Sequence, residues 1–275
     1  MDFVVNLSAF LERIAYSGSR RPNLAVLRAV QQAHLLAVPF ENLDIHLGRP
    51  ISLDVTALFD KIVTRRRGGF CYELNGLLAE MLAALGFGVT RLSAMAAEDG
   101  GAFSADFDHL ALCVTCPAEP GDAGAAWLVD VGWGNGPRGP LRIAGWEEQA
   151  QPHPAGERIF RLNPQDGYLV LEERGARGLQ GEGQAGPDDW VRHYRFTLAA
   201  RSLADFDAMC RYHQTDPGSI FTRQRIATRY TPTGRITLAG MKFIQMEDGR
   251  RSERLLEDEA AAQRVLRERF GLVLE

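Results

Sequence analysis

The stretch from Arg65 to Gly76, RRRGGFCYELNG, places a cysteine just after a glycine pair and directly before a run of helical texture. A thiol at a helix start faces unpaired backbone N–H groups and the positive end of the dipole, so its pKa is expected to fall and its thiolate to be favoured. Gly68 and Gly69 permit backbone angles and close approaches that a side chain would block. Cys71 is therefore a candidate nucleophile. An inert buried thiol is the competing reading, because a nucleophile also needs a base.

His109 is the candidate base. It opens the run HLALCVTC, and the next apolar run, AWLVDVGWG, carries Asp130 between Val129 and Val131. A carboxylate in an apolar strand is costly unless it is paired. If the two runs form a hairpin centred on Glu119 and Pro120, His109 falls directly opposite Asp130 on one sheet face. A slip of one residue would undo the pairing. An Asp-oriented imidazole beside a helix-terminal thiol is the logic of a catalytic triad; a structural His–Asp pair and an unrelated cysteine remain the alternative. His34 reads as a core or surface residue of a helix. His46, His153, His193 and His213 have no acid in a matching strand.

These residues need positioning elements. From Asn6 to about Leu92 apolar residues recur at helical spacing, with Asn23 and Asp54 near helix starts and Pro39 as a breaker. CYELNGLLAEMLAALG predicts a helix with one broad apolar face, stopped by Gly86. Beyond Gly88, short runs separated by Gly, Pro and Asp predict a small barrel or sandwich. From Ser202 a helix leads into strands with a turn at Thr233 and Gly234, and an amphipathic helix closes the chain. The expected division is 1–92, 93–200 and 201–275.

Composition excludes several classes. With 275 residues, a net charge of −4 and no basic stripe, the chain carries no nucleic-acid footprint. No apolar run approaches a membrane span and the first residues lack a secretory pattern, so a soluble, cytoplasmic protein is expected. The four cysteines, Cys71, Cys113, Cys116 and Cys210, are not a disulfide framework. CVTC lacks a second ligand pair for zinc, and on a strand its two thiols would point to opposite faces as buried cysteines. No metal is expected.

The blocks VPFENLDIHLGRPISLD, RRRGGFCYELNGLLAEMLAALGFGVTRL, FDHLAL and WLVDVGWG resemble those of the arylamine N-acetyltransferases, in order and spacing, and the likeness covers nearly the whole chain. The resemblance implies an α+β fold: an N-terminal helical bundle, a central β-barrel and a C-terminal α/β lid around a cysteine-protease-like Cys–His–Asp core. It maps that core onto Cys71, His109 and Asp130. It implies that Phe40 and Trp133 line the acceptor pocket, where the family more often has Phe than Trp at position 133. It pairs Arg67 with Glu41 in support of the cysteine loop. The implied reaction is ping-pong transfer of an acetyl group from acetyl-CoA to an aromatic amine or hydrazine, with acetyl-CoA as substrate and no permanently bound cofactor. A thiol hydrolase or transglutaminase-like enzyme, an amide synthase using a larger acyl chain and a non-catalytic binding module are the rival readings.

Overall fold

The computed structural model describes residues 6–117, 124–154, 156–175, 186 and 188–274. The first helices start where side chains cap them. Asn6 accepts from the Ala9 amide ahead of α1 (Leu7–Arg13), Asn23 from Val26 ahead of α2 (Leu24–Ala37), and Asp54 from Thr56 and Ala57 ahead of α4 (Val55–Phe59). Between them lie strand β1 (Phe40–Glu41) and the short helix α3 (Leu43–His46). Helix α5 (Cys71–Ala84) begins at the cysteine itself. It is buried on nearly every side, so it forms the axis about which the other helices and the barrel pack.

Eight antiparallel strands follow: β2 (Gly88–Ala96), β3 (His109–Thr115), β4 (Ala126–Val129), β5 (Leu141–Arg142), β6 (Gln149–His153), β7 (Gly156–Gln165), β8 (Tyr168–Arg174) and β9 (Trp190–Phe196). They run in the order β5-β4-β3-β2-β9-β8-β7-β6. The two edges meet through side-chain amides. Gln149 accepts from the Arg142 amide at 2.7 Å and donates to its carbonyl at 2.9 Å, and Gln151 does the same to Gly139. The sheet is thereby nearly closed into a barrel, which removes most of the exposed edge. Phe160, Leu162, Leu171, Tyr194 and Phe196 fill its interior, while Leu110, Leu112 and Val114 of β3 face the helices. Cys113 packs with the barrel interior and Cys116 against the helical core, on opposite sides as expected, but both are only half-buried.

The last sheet runs β1-β10-β11-β12-β13, with β10 (Ile226–Thr231), β11 (Gly234–Ala239), β12 (Lys242–Glu247) and β13 (Arg250–Leu255). Helices α6 (Asp207–Thr215) and α7 (Ile220–Arg223) precede it and α8 (Glu259–Val265) covers it. Thr231 pairs with Gly234, so the turn residues are Pro232 and Thr233, one position earlier than the sequence suggests. Gly234 instead lies in the strand, where a Cβ would come within 1.7 Å of the Met246 carbonyl oxygen.

Strand β1 comes from the helical part of the chain yet edges this sheet, pairing Phe40 with Thr228 and Glu41 with Ala227. Asn42 fixes the junction. Fully buried, it donates to the Phe221 and Gln224 carbonyls at 3.0 and 2.8 Å and accepts from the Ile226 amide at 2.8 Å. Asn42→Ala would leave these buried groups unpaired, and a loss of about 2–4 kcal/mol of unfolding free energy is expected in urea titration. An unchanged midpoint would show that the junction does not depend on this side chain.

Candidate active site

Cys71 occupies the first turn of α5 and is 3% exposed. One turn further on, fully buried Asn75 lies on the same helix face. Its Nδ2 donates to the Leu110 carbonyl at 2.7 Å and to Asp130 Oδ1 at 2.9 Å, and its Oδ1 accepts from the Val131 amide at 3.0 Å. One side chain therefore ties the cysteine helix to β3 and to the end of β4. Gly132 makes the approach possible, since a Cβ there would stand 2.7 Å from Cys71 Cα. Gly68 and Gly69 do the same on the other side, where Cβ atoms would meet the Pro39 carbonyl at 2.0 Å and Glu73 Cβ at 2.7 Å.

His109 Nε2 and Asp130 Oδ2 lie 2.8 Å apart, both groups buried. The register that brings them together differs from the expected one. Leu112 pairs with Val129 and Thr115 with Ala126, which sets Asp130 across from Ala111, just past the end of β4. The shift is two residues, so parity is kept and His109 meets Asp130 diagonally on the same face. Residues 118–123, which include the expected turn at Glu119 and Pro120, lie outside the described residues.

Asp130 also accepts from the Gly132 amide at 2.8 Å and from the Tyr194 hydroxyl at 3.0 Å. Burial alone would raise its pKa, but His109 and the hydrogen bonds from Asn75 and Gly132 outweigh burial and hold it below the usual carboxylate range. An ionised Asp130 can only accept, so His109 donates to it through Nε2.

The thiol itself departs from expectation. Burial pushes the Cys71 pKa well above its ordinary value, and a hydrogen bond from the Leu110 backbone opposes this only in part. A helix start is worth about 0.3–1 kcal/mol to an exposed charge, less than the cost of desolvating a thiolate on a 3%-exposed side chain. Burial therefore outweighs the helix start.

Charged residues brace the cysteine loop. Arg67 meets Glu41 at 2.8 Å and Asp44 at 3.0 Å, and Lys61 meets Asp44 and Glu73 at 2.7 Å each, all of them buried. Burial pushes Glu73 up to about 7. Its two oxygens nonetheless accept from Lys61 and from the Phe70 amide, the pattern of an ionised carboxylate held by a cation. Arg13 adds hydrogen bonds to the carbonyls of Ala37, Ile62, Arg66 and Arg67. Sequence reasoning named Arg67 and Glu41 and missed Arg13, Asp44, Lys61, Glu73 and Asn75. A polar Asn75 in an apolar helix, four residues after the cysteine, was the available signal.

Phe40 bridges Gly69 of the cysteine loop, and its cross-strand partner Thr228 lies against Gly134, next to Trp133. Trp133 stands edge-on to His109, with ring centroids 4.9 Å apart. Two other histidines have acidic neighbours, and one of them, His193, departs from the strand-based expectation. His193 Nε2 lies 3.0 Å from Glu173 on neighbouring strand β8, and His213 Nε2 lies 3.1 Å from Asp108, contributed by a loop. His34 is fully buried with neither ring nitrogen hydrogen-bonded, and burial lowers its pKa to about 3, so it is a neutral core residue.

Because the folded pKa of Asp130 is depressed, its contribution to stability is complete above the unfolded value near 4 and is lost as pH falls through the folded value. Asp130→Asn is therefore expected to cost about 3 kcal/mol in urea titrations at pH 7, with the gap to the unaltered protein narrowing at pH 3. A gap independent of pH would show that the carboxylate charge is not what the four donors stabilise.

The N-acetyltransferase family model matches residues 23–275. The pineal gland isozyme of arylamine N-acetyltransferase from Gallus gallus is 33% identical, over 98% of this chain and 95% of that protein. The Mycobacterium tuberculosis arylamine N-acetyltransferase is 35% identical, over 98% and 89%. A solved structure of the M. tuberculosis enzyme superposes with a TM-score of 0.84 at 34% identity, covering 97% of this chain and 93% of that one. The Mycobacterium marinum enzyme in complex with CoA gives 0.83 at 34% identity, covering 97% and 92%. The fold thus follows that of the solved enzymes over nearly its whole length, and the chain belongs to the arylamine N-acetyltransferase family.

Proposed function

We propose that this protein transfers an acetyl group from acetyl-CoA to aromatic amines or hydrazines through a thioester on Cys71, with His109 as proton carrier and Asp130 as its anchor. The observation that carries the assignment of roles is the saturated Asp130 carboxylate, which anchors the His109 ring through Nε2 at the start of β3, the strand whose Leu110 backbone contacts Cys71. The Cys71 proton passes to Nδ1 as sulfur attacks the thioester carbonyl. Helix-start N–H groups, that of Cys71 among them, have no partner within the helix and stabilise the oxyanion. The intermediate collapses with loss of the CoA thiolate, which takes the proton from His109. The acceptor amine then attacks the acetyl-cysteine, its proton goes to His109, and Cys71 leaves as a thiolate that takes the proton back from His109.

A flat, weakly basic amine suits this site, because it is largely neutral and nucleophilic at neutral pH. Phe40 and Trp133 border the acceptor pocket, and the pairing of Arg67 with Glu41 supports the cysteine loop. Partners are restricted to acetyl-CoA and small acceptors. No helix among the described residues is long and apolar enough to cross a membrane. Four free thiols accord with a reducing, cytoplasmic setting.

Acetyl-CoA without an amine should add one acetyl group to Cys71, seen by intact mass and peptide mapping, and an aromatic amine should then remove it. Steady-state kinetics should give parallel double-reciprocal lines. Cys71→Ser should form no intermediate, and Asp130→Asn should acetylate amines about 10³–10⁴-fold more slowly. Intersecting lines with no acetyl-enzyme would assign direct transfer instead.

A further inference from the structure

Trp133 is held from several sides. Its ring stands edge-on to Tyr194 as well as to His109, with centroids 4.9 Å away in each case. Its Nε1–H donates to His193 Nδ1 at 3.0 Å. An indole nitrogen can only donate, so His193 Nδ1 accepts and the His193 proton sits on Nε2. That proton is directed at Glu173 Oε2, 3.0 Å away. Arg158 grips Glu173 in turn through bonds of 2.6 and 2.7 Å, and its other N–H groups bind the carbonyls of Asn135 and Gly136. The circuit therefore leaves the loop at Trp133 and returns to it two residues later.

Both ends of this circuit are fixed. Burial would raise Glu173, but hydrogen bonds from Arg158 and His193 prevail and bring its pKa down to about 2, so it is an ionised acceptor. His193 and Glu173 are each 5% exposed. Acetyl transfer as described needs one histidine–carboxylate pair, and this second pair is joined to the His109 side of the site by its hydrogen bond from Trp133. A phenylalanine at position 133 could occupy the space but could not donate, so the circuit depends on the indole.

We propose that His193 is a positioning residue that locks the Trp133 indole beside His109 and thereby sets which aromatic acceptors reach the base, favouring single-ring over fused-ring amines. The proposal rests on the reading that Trp133 borders the acceptor pocket. A pinned indole keeps one rotamer, whereas an unpinned one gains others and opens the space next to the imidazole. One net hydrogen bond corresponds to about a five-fold shift in such a population.

The test is the ratio of kcat/KM for 4-aminobenzoate to that for 2-aminofluorene, a quantity in which acceptor-independent losses cancel. His193→Phe should shift the ratio about five-fold toward the fused-ring amine. His193→Gln, whose carbonyl can accept from the indole and whose amide can donate to Glu173, should restore it to within about two-fold. Trp133→Phe should also shift the ratio, and adding His193→Phe to it should shift it no further, since no N–H remains to be held. Should His193→Phe fail to fold, 3-benzothienylalanine incorporated at position 133 removes only the N–H and should reproduce the shift. Equal losses for both acceptors, additive shifts in the double variant, or an unchanged ratio with benzothienylalanine would overturn the proposal. Acetylation of Cys71 by acetyl-CoA in the unaltered protein is followed in parallel. Its absence would count against the functional reading itself, whatever the ratio shows.

Discussion

The side chain of Asn75 is the tie on which the site depends. A helix and two strands meet where none of them offers a regular ladder to the others, and a buried seam of this kind would strand several polar groups. Asn75 satisfies three of them at once: a carbonyl of β3, the Asp130 carboxylate and the Val131 amide. Its position one turn after Cys71 means that the residue stapling the barrel to the helix also sets the barrel's distance from the sulfur. Gly132 allows that distance to be short. The orientation of Asp130, the hydrogen bond it makes to His109 and the packing of Trp133 on His109 all follow from this docking.

Two kinds of electrostatics meet at the seam. On the barrel side Asp130 is stabilised by neutral donors, Asn75, Tyr194 and a backbone amide, so its charge remains available to the imidazole. On the helical side the cysteine loop is braced by full charges, with Lys61 and Arg67 set among Glu41, Asp44 and Glu73. Buried ions of that sort add little stability against apolar replacements, yet removing one partner is costly. Their arrangement ties the conformation of the loop to several buried ion pairs at once.

What the sequence disclosed was local. Cys71 stood out because glycine, glycine and a helix start are written side by side, and His109 and Asp130 because strand parity survives a two-residue shift of register. The two-residue register error arose because turn-rich composition marks a hairpin without fixing its loop length. Non-local pairings were not legible. His193 meets Glu173 only because β9 lies beside β8, and Arg13 reaches the cysteine loop across about fifty residues of chain. The direction of the Cys71 pKa was missed for a related reason: the helix dipole can be read from neighbours, whereas burial depends on the whole fold. The barrel closure by Gln149 and Gln151 left no pattern at all, since a glutamine in an edge strand usually faces water.

The pairing of Phe40 and Glu41 with β10 carries a consequence for how the protein is made. Asn42, next to the segment that bridges the cysteine loop, finds its backbone partner 184 residues later. On a ribosome the helices emerge first, and the loop bearing Cys71 must wait for the last quarter of the chain before its bracing edge is filled. Contacts of such sequence separation form late and slowly. A nascent chain therefore passes through an interval in which a thiol destined for burial is open to oxidants and to other chains, and chaperone occupancy in that interval would bear on yield more than the stability of the finished fold.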